Sequence, residues 1–250
     1  MCTSSCASTA GPSTPPRISR EACRRSARGL VRRRSWALLV AGDQHGDAPA
    51  TGSPDLVIAA DGGLDAARRW RLRVDAVVGD LDSASEAAMD WAKHCGATVD
   101  PHPVDKDATD LELAMASALG QVEAVHVLLP AGGRLDQAMA SLAVLASSRW
   151  SALEVSATVG EAHVAVVRGL RRLRGEVGEV ISLLAVGGPA LVASTSGLLF
   201  PLVEEALSPT SGRGTSNVIV AAPPTVDVVE GVLLAIRPSG APSDSGLAGV

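Results

Sequence analysis

Two apolar runs, Leu56–Ala60 and Ala76–Val78, each stop against glycine and aspartate: Asp61-Gly62-Gly63 after the first, Gly79-Asp80-Leu81-Asp82-Ser83 after the second. A short apolar run bounded in this way reads as a strand buried on both faces, the kind that builds a parallel sheet. A third acidic cluster, Asp105-Lys106-Asp107-Ala108-Thr109-Asp110, lies a short way downstream. Carboxylates at the carboxyl ends of neighbouring parallel strands converge on one crevice, which is where open α/β sheets bind ligands. Several carboxylates in one crevice repel each other unless a cation neutralises them. The pattern points to a magnesium site that holds a polyphosphate.

The surrounding chain agrees. Strands are expected at 36–41, 56–60, 75–79, 97–99 and 124–129, with helices between them at 64–71, 84–95, 109–119 and 134–148. Strands alternating with helices imply βαβ units and a mostly parallel, Rossmann-like sheet. Thr109 is placed to cap its helix, with Glu112 three residues on to complete a capping box. After about residue 150 the texture changes to short β-branched runs: Leu153–Val159, His163–Val167, Val177–Leu184, Ala190–Ala193, Asn217–Ala221 and Val226–Ile236. Turns such as Gly187-Gly188-Pro189 separate them and no helical pattern interrupts, so an all-β sandwich domain is expected. The chain thus divides into a basic segment 1–34, an α/β catalytic domain 35–150, a β domain 151–237 and a Ser/Gly/Pro tail 238–250.

Composition restricts the function. Residues 1–34 hold eight Arg against one Glu, so the formal charge of −5 for the whole chain leaves −12 on the remainder. So acidic a body repels nucleic-acid phosphates. The basic segment has no sustained apolar period and reads as a disordered tail or an upstream start. Trp36–Ala41 is too short for a signal core, and no apolar stretch approaches the ~18 residues of a membrane span, so no membrane partner is expected. Cys2, Cys6 and Cys23 sit in the basic segment and Cys95 alone in the body, with no disulfide framework, which suits the cytoplasm.

Known nucleotide motifs are missing. There is no GxxxxGK[ST] loop and no GxGxxG after the first strand, and the five His show no metal spacing. His126, alternating with Val125 and Val127, reads as structural. On an extended segment, Asp80 and Asp82 would point the same way and share one ion; Asp82 with Ser83 could instead cap the next helix. Asp107 and Asp110 fall at a helix entrance. In Pro130-Ala131-Gly132-Gly133-Arg134-Leu135-Asp136, the glycines permit close approach of a ligand and Arg134 can neutralise phosphate, with Asp136 orienting it. The same segment also reads as an ordinary strand-to-helix turn. The sole Phe, Phe200, lies in Thr195-Ser196-Gly197-Leu198-Leu199-Phe200-Pro201-Leu202, upstream of the polar loop Gly214-Thr215-Ser216-Asn217. An aromatic face beside hydroxyls and an amide suits a flat heteroaromatic ligand; a core Phe beside a polar turn is the alternative.

Taken in order, ADGG, GDLDS, KDATDLELA, GGRLDQ, TSGLLFPL and GTSN resemble the thiamine pyrophosphokinase (thiamine diphosphokinase) family over about residues 36–237. The resemblance implies an α/β domain followed by a β-sandwich, in a homodimer with active sites at the subunit interface. It implies transfer of a pyrophosphoryl group from ATP to the hydroxyethyl oxygen of thiamine, giving thiamine diphosphate and AMP. Asp80, Asp82 and Asp110 would hold magnesium, with Asp107 beside them in the catalytic set. Asp61, Gly62, Gly63, Lys106, Thr109, Gly133, Arg134 and Asp136 would serve the nucleotide. Phe200 would stack on thiamine in a pocket lined by Ser196, Thr215, Ser216 and Asn217.

The chain departs from the family pattern at Asp65 (commonly Asn), Gln137 (commonly His), Ser141 (often Asn) and Phe200 (more often Trp or Tyr). Two rival readings stand beside this one. One is a pyrophosphokinase for another hydroxymethyl heterocycle, such as a pterin. The other is a non-catalytic module that binds thiamine or nucleotide.

Overall fold

The computed structural model describes residues 33–48 and 52–238. The expectations for the basic segment and the C-terminal tail therefore lie almost wholly outside the described residues. Five parallel strands, β1 (Trp36–Ala41), β2 (Leu56–Ala60), β3 (Ala76–Gly79), β4 (Thr98–Pro101) and β5 (Ala124–Leu129), lie in the order β5-β1-β2-β3-β4. Every residue of β1 is buried. That follows from its place at the centre of a sheet covered on both faces, and it explains why the run WALLVA shows no alternation.

Three helices, α1 (Gly63–Arg69), α2 (Glu86–His94) and α3 (Asp110–Ala118), join β2 to β5 in turn, and a fourth, α4 (Leu135–Leu145), follows β5. α1 and α2 pack Leu64, Ala66, Ala67, Ala88 and Ala92 on one face of the sheet, against Leu38, Val40 and Ala59. α3 covers the opposite face with Leu111, Ala114, Met115 and Ala118 against Leu39, Ile58 and Val127. The capping box at α3 forms as its sequence predicts: Thr109 Oγ1 accepts from Glu112 N, and Glu112 Oε2 accepts from Thr109 N. α2 begins later than expected. Its cap is Ser85, whose Oγ accepts from Ala88 N, rather than Asp82 or Ser83. α4 ends at Leu145, three residues short of the expected 134–148 helix, and a separate 3-10 turn, Ser148–Trp150, follows.

The sheet does not stop at residue 150. β6 (Glu154–Val159) adds to β5 in parallel, then β7 (Ala162–Val167) pairs with it antiparallel across a tight turn. The edge continues through β14 (Leu233–Arg237), β9 (Val180–Ala185) and β12 (Asn217–Val218), making ten strands in all. A separate four-stranded sheet, β11-β10-β13-β8, contains β8 (Leu170–Arg172), β10 (Ala190–Ser196), β11 (Val203–Leu207) and β13 (Thr225–Glu230). It packs Val192, Leu207, Val226 and Val228 against Ile181, Leu183, Leu233 and Ala235 of the large sheet. The C-terminal part is β-rich, as its runs predict, but five of its nine described strands extend the α/β sheet. The expected single run Val226–Ile236 is two strands, broken where Gly231 turns the chain at φ 81°.

Candidate active site

β2, β3 and the entrance to α3 bring three carboxylates together. One oxygen each of Asp61, Asp80 and Asp110 lies within 4.8 Å of the other two. The backbone is bent to achieve this. Asp61 (φ 46°) and Leu81 (φ 66°) both occupy the left-handed region, which few side chains other than glycine tolerate and which clusters at functional sites. Gly79, at φ 140°, holds a backbone conformation that side chains strain, and a Cβ there would push on Asp110 Oδ1 at 2.8 Å. The glycine between strand and acids therefore leaves the Asp110 carboxylate its place in the cluster.

Backbone donors hold two of the three. Ser83 N donates to Asp61 Oδ1 at 3.2 Å and Asp82 N to Asp80 Oδ1 at 3.3 Å. Asp65 anchors the next turn by accepting from Ser85 N and Ser85 Oγ. Lys106 reaches in with Nζ 3.0 Å from Asp80 Oδ2 and 2.9 Å from Asp110 Oδ1, its side chain 13% exposed. The hydrogen bond from Lys106 is the largest cause holding the Asp80 carboxyl below its usual range, followed by that from the Asp82 backbone. Burial acts against the charge of Lys106, but the Asp110 and Asp80 carboxylates outweigh it and its pKa is raised. Asp110 Oδ1 is shielded from solvent and accepts no aligned hydrogen bond. Such an oxygen is costly without a partner, and Lys106 Nζ at 2.9 Å meets it through charge. An oxygen-only donor set of three carboxylates fits a small hard cation such as magnesium.

Asp82 takes a different place from the one its spacing suggests. The turn at Leu81 breaks the extended alternation, so Asp82 lies outside the trio and exposed, with Oδ1 accepting from Ser83 Oγ at 3.0 Å. Asp61 completes the cluster instead. Asp107 is exposed, and Thr109 is engaged as a helix cap. Gly63 packs rather than cradles: a Cβ there would meet Val40 O at 2.1 Å, so α1 lies directly on β1. Gly62 precedes the helix with room for a Cβ 3.6 Å from Ser83.

The loop after β5 lies where the strand order reverses between β1 and β5. Gly132 (φ 89°) and Gly133 (φ 83°) are exposed with open space around them. Arg134 stands at the N-cap position of α4 without a capping side-chain bond and grips Asp136 through two bonds, Nε to Oδ1 at 3.2 Å and Nη2 to Oδ2 at 2.5 Å. That grip lowers the Asp136 carboxyl and raises the guanidinium. His126 is structural, as expected, bonding Ser156 Oγ and Thr158 Oγ1 of β6 at 2.9 Å each.

The aromatic segment forms a second patch. The Asn217 side chain, 5% exposed, accepts from Phe200 N at 3.0 Å and donates to Phe200 O at 2.7 Å. This clamp fixes the backbone while the Phe200 side chain stands 55% exposed, so Phe200 is not a core residue. Ser216 is held at φ 56°, its N donating to Ser182 Oγ at 3.1 Å. Thr215 Oγ1 donates to Gly212 O, and exposed Ser196 shares a 2.6 Å hydroxyl contact with Thr225.

The fold is shared with thiamin pyrophosphokinases. The thiamine pyrophosphokinase of Bacillus subtilis superposes with a TM-score of 0.71 at 21% identity, over 83% of this chain and 100% of that one. The yeast enzyme gives 0.66 at 17% identity, over 82% and 86%, and that of Candida albicans 0.67 at 14%, over 82% and 89%. None of the curated proteins is a significant match in sequence. The thiamin pyrophosphokinase catalytic-domain family matches residues 50–157, and the thiamin pyrophosphokinase vitamin B1 binding-domain family matches residues 171–233. The chain belongs to the thiamin pyrophosphokinase family and is an enzyme, a transferase of the kinase kind that binds thiamine. The pterin and non-catalytic readings are not favoured, since both matched families name thiamin.

Proposed function

We propose that this chain transfers a pyrophosphoryl group from ATP to thiamine, in a homodimer whose active sites form between the acidic crevice of one subunit and the Phe200 patch of the other. The observation that carries the dimer is the strand order. Seven strands separate β12, where Asn217 lies, from β3, which leads into Asp80. At about 4.8 Å per strand the two are roughly 35–40 Å apart along the sheet, too far for one thiamine to touch both. Leu135 and Met139 on α4, 74% and 64% exposed, give the chain an apolar surface on which a second copy can pack.

On this reading Asp61, Asp80 and Asp110 hold magnesium, with Asp82 and Asp107 at the solvent side of the crevice. Bound there, magnesium would neutralise polyphosphate charge as the β-phosphorus is attacked. Lys106 contributes a further positive charge at the crevice. Gly62, Gly132 and Gly133 let the nucleotide approach the backbone, and Arg134, oriented by Asp136, meets its phosphates. Phe200 stacks on the thiamine ring while Ser196, Thr215, Ser216 and the Asn217 clamp shape the pocket. No group of this chain need form a covalent bond; its work is positioning and charge.

The division at about residue 150 then separates a nucleotide-handling part from a thiamine-handling part. Among the described residues no helix is long and apolar enough to cross a membrane. We assign the enzyme to the cytoplasm on its exposed free thiol, Cys95. Incubation with ATP, magnesium and a panel of hydroxyalkyl heterocycles tests the proposal. AMP release and a product of thiamine diphosphate mass, with thiamine alone, is the expected result. Transfer to a pterin, or none at all, refutes it.

A further inference from the structure

Lys106 touches two of the three acids that would hold a cation, with Nζ 3.0 Å from Asp80 Oδ2 and 2.9 Å from Asp110 Oδ1. We propose that Lys106 is the built-in counter-cation of the carboxylate trio: it holds the acids together in the free enzyme, competes with the divalent cation for them, and is displaced toward the incoming polyphosphate when the metal binds. The inference rests on the magnesium reading above.

The argument is one of charge and space. Three carboxylates with oxygens within 4.8 Å of each other repel strongly, and the crevice offers them Lys106 as its cationic partner among the described residues. The ammonium hydrogen-bonds Asp80 Oδ2 at 3.0 Å and meets Asp110 Oδ1 at 2.9 Å through charge, whereas magnesium binds oxygen at about 2.0–2.1 Å. Both cations on the same two carboxylates would place a divalent and a monovalent charge within a few ångströms of each other, a repulsion that moving the lysine relieves. The lysine is able to leave. It sits in the loop before α3, not in a strand, at the end of a flexible four-carbon stem. Its bond to Asp110 is poorly aligned, and Asp110 Oδ1 accepts no well-directed hydrogen bond even with the ammonium at contact distance. A carboxylate oxygen that the resident cation satisfies only through charge is one that a metal can take over. The released ammonium is then one side-chain length from the crevice where polyphosphate arrives, and it changes partners from carboxylate to phosphate without leaving the site. Metal loading and phosphate capture become one exchange.

Lys106→Met keeps the length of the side chain and removes the charge. The test measures Mn2+ binding by electron paramagnetic resonance on nucleotide-free protein, together with thermal melting in chelator. The variant should bind Mn2+ more tightly than wild type, on the order of tenfold, and should melt lower in chelator, with the loss recovered by metal. A purely structural lysine would lower melting without tightening Mn2+, and unchanged or weaker binding overturns the proposal. If the variant does not fold, the wild-type protein decides. The chain has two lysines, Lys93 and Lys106, so reductive 13C-methylation gives one lysine signal for the site and one internal reference. Magnesium should shift the Lys106 signal and leave that of Lys93, which lies in α2, in place. A Lys106 signal unmoved at saturating metal overturns the proposal. Asp80→Asn separates the two readings: Mn2+ binding lost in that variant supports the metal site independently of Lys106. A wild-type protein that binds no Mn2+ overturns both.

Discussion

Truncating Phe200 to alanine separates a ligand platform from a packing residue. A core Phe→Ala substitution costs about 3–5 kcal/mol through the cavity it leaves. Phe200 is 55% exposed, so less than half of the ~1.5–3 kcal/mol for full burial of such a side chain is at stake, or roughly 1 kcal/mol. In a protein of this size that lowers the melting temperature by about 2–4 °C. The backbone should not loosen, because the Asn217 amide clamps Phe200 N and Phe200 O independently of the ring. Ring stacking contributes about 0.5–1.5 kcal/mol beyond area burial. The KM for thiamine should therefore rise roughly fivefold, while that for ATP, handled at the acidic crevice, stays within error. Phe200→Trp should retain activity. Steady-state kinetics in each substrate and a melting curve suffice. A variant that melts more than ~8 °C early with an unchanged KM for thiamine would refute the platform reasoning.

Asp80→Asn should abolish AMP release while leaving the circular dichroism spectrum intact; full turnover at limiting magnesium would remove Asp80 from the metal site. Asn217→Ala leaves Phe200 N and Phe200 O without their partner, and should cost about 1–3 kcal/mol in urea titrations and also raise the KM for thiamine. Stability should fall on acidification through His126, whose pKa is pushed down to about 3 by burial first, then by His163 and Arg174. Above about pH 6.5 the imidazole is neutral in folded and unfolded chains alike. Between pH 6.5 and 3 only the unfolded chain takes up the proton, so stability is lost as pH falls, at up to about 1.4 kcal/mol per pH unit. Urea midpoints between pH 7.5 and 5.5 should drop less steeply in His126→Gln; parallel curves would contradict the assignment.

β1, β2 and β3 were legible because each is buried on both faces and so is written as an unbroken apolar run, and Thr109 with Glu112 announced its own helix; the edge strand β4, TVDP, is mostly exposed and carries a weaker signal. The pairing beyond residue 150 was not. An alternating run states that one face is buried but not which neighbour it meets, so β7, β14 and β9 give no sign of extending the first sheet. β8 and β11, LRR and VEEAL, are too short and too charged to register as strands. At the site, spacing located the acidic segments but misjudged their aim. Alternation assumes extended backbone, and the left-handed turn at Leu81 sends Asp82 out, while that at Asp61 accompanies its place in the trio. The sequence signal for both was present in the clustering of Gly and Asp, but it carries no direction. The Asn217 clamp was foreseen only as part of a polar loop, since its partners are backbone atoms of a segment seventeen positions away.

The breadth of the sheet has a consequence for inheritance. If a working centre takes its acids from one polypeptide and its aromatic platform from another, lesions in this one gene fall into two complementation groups. A chain disabled at Asp80 and a chain disabled at Asn217 can restore each other, because a mixed pair concentrates both defects in one of its two centres and leaves the second whole. Two defects within the same half cannot. Alleles that look alike in isolation would thus sort, in pairs, according to which end of a ten-stranded sheet they damage.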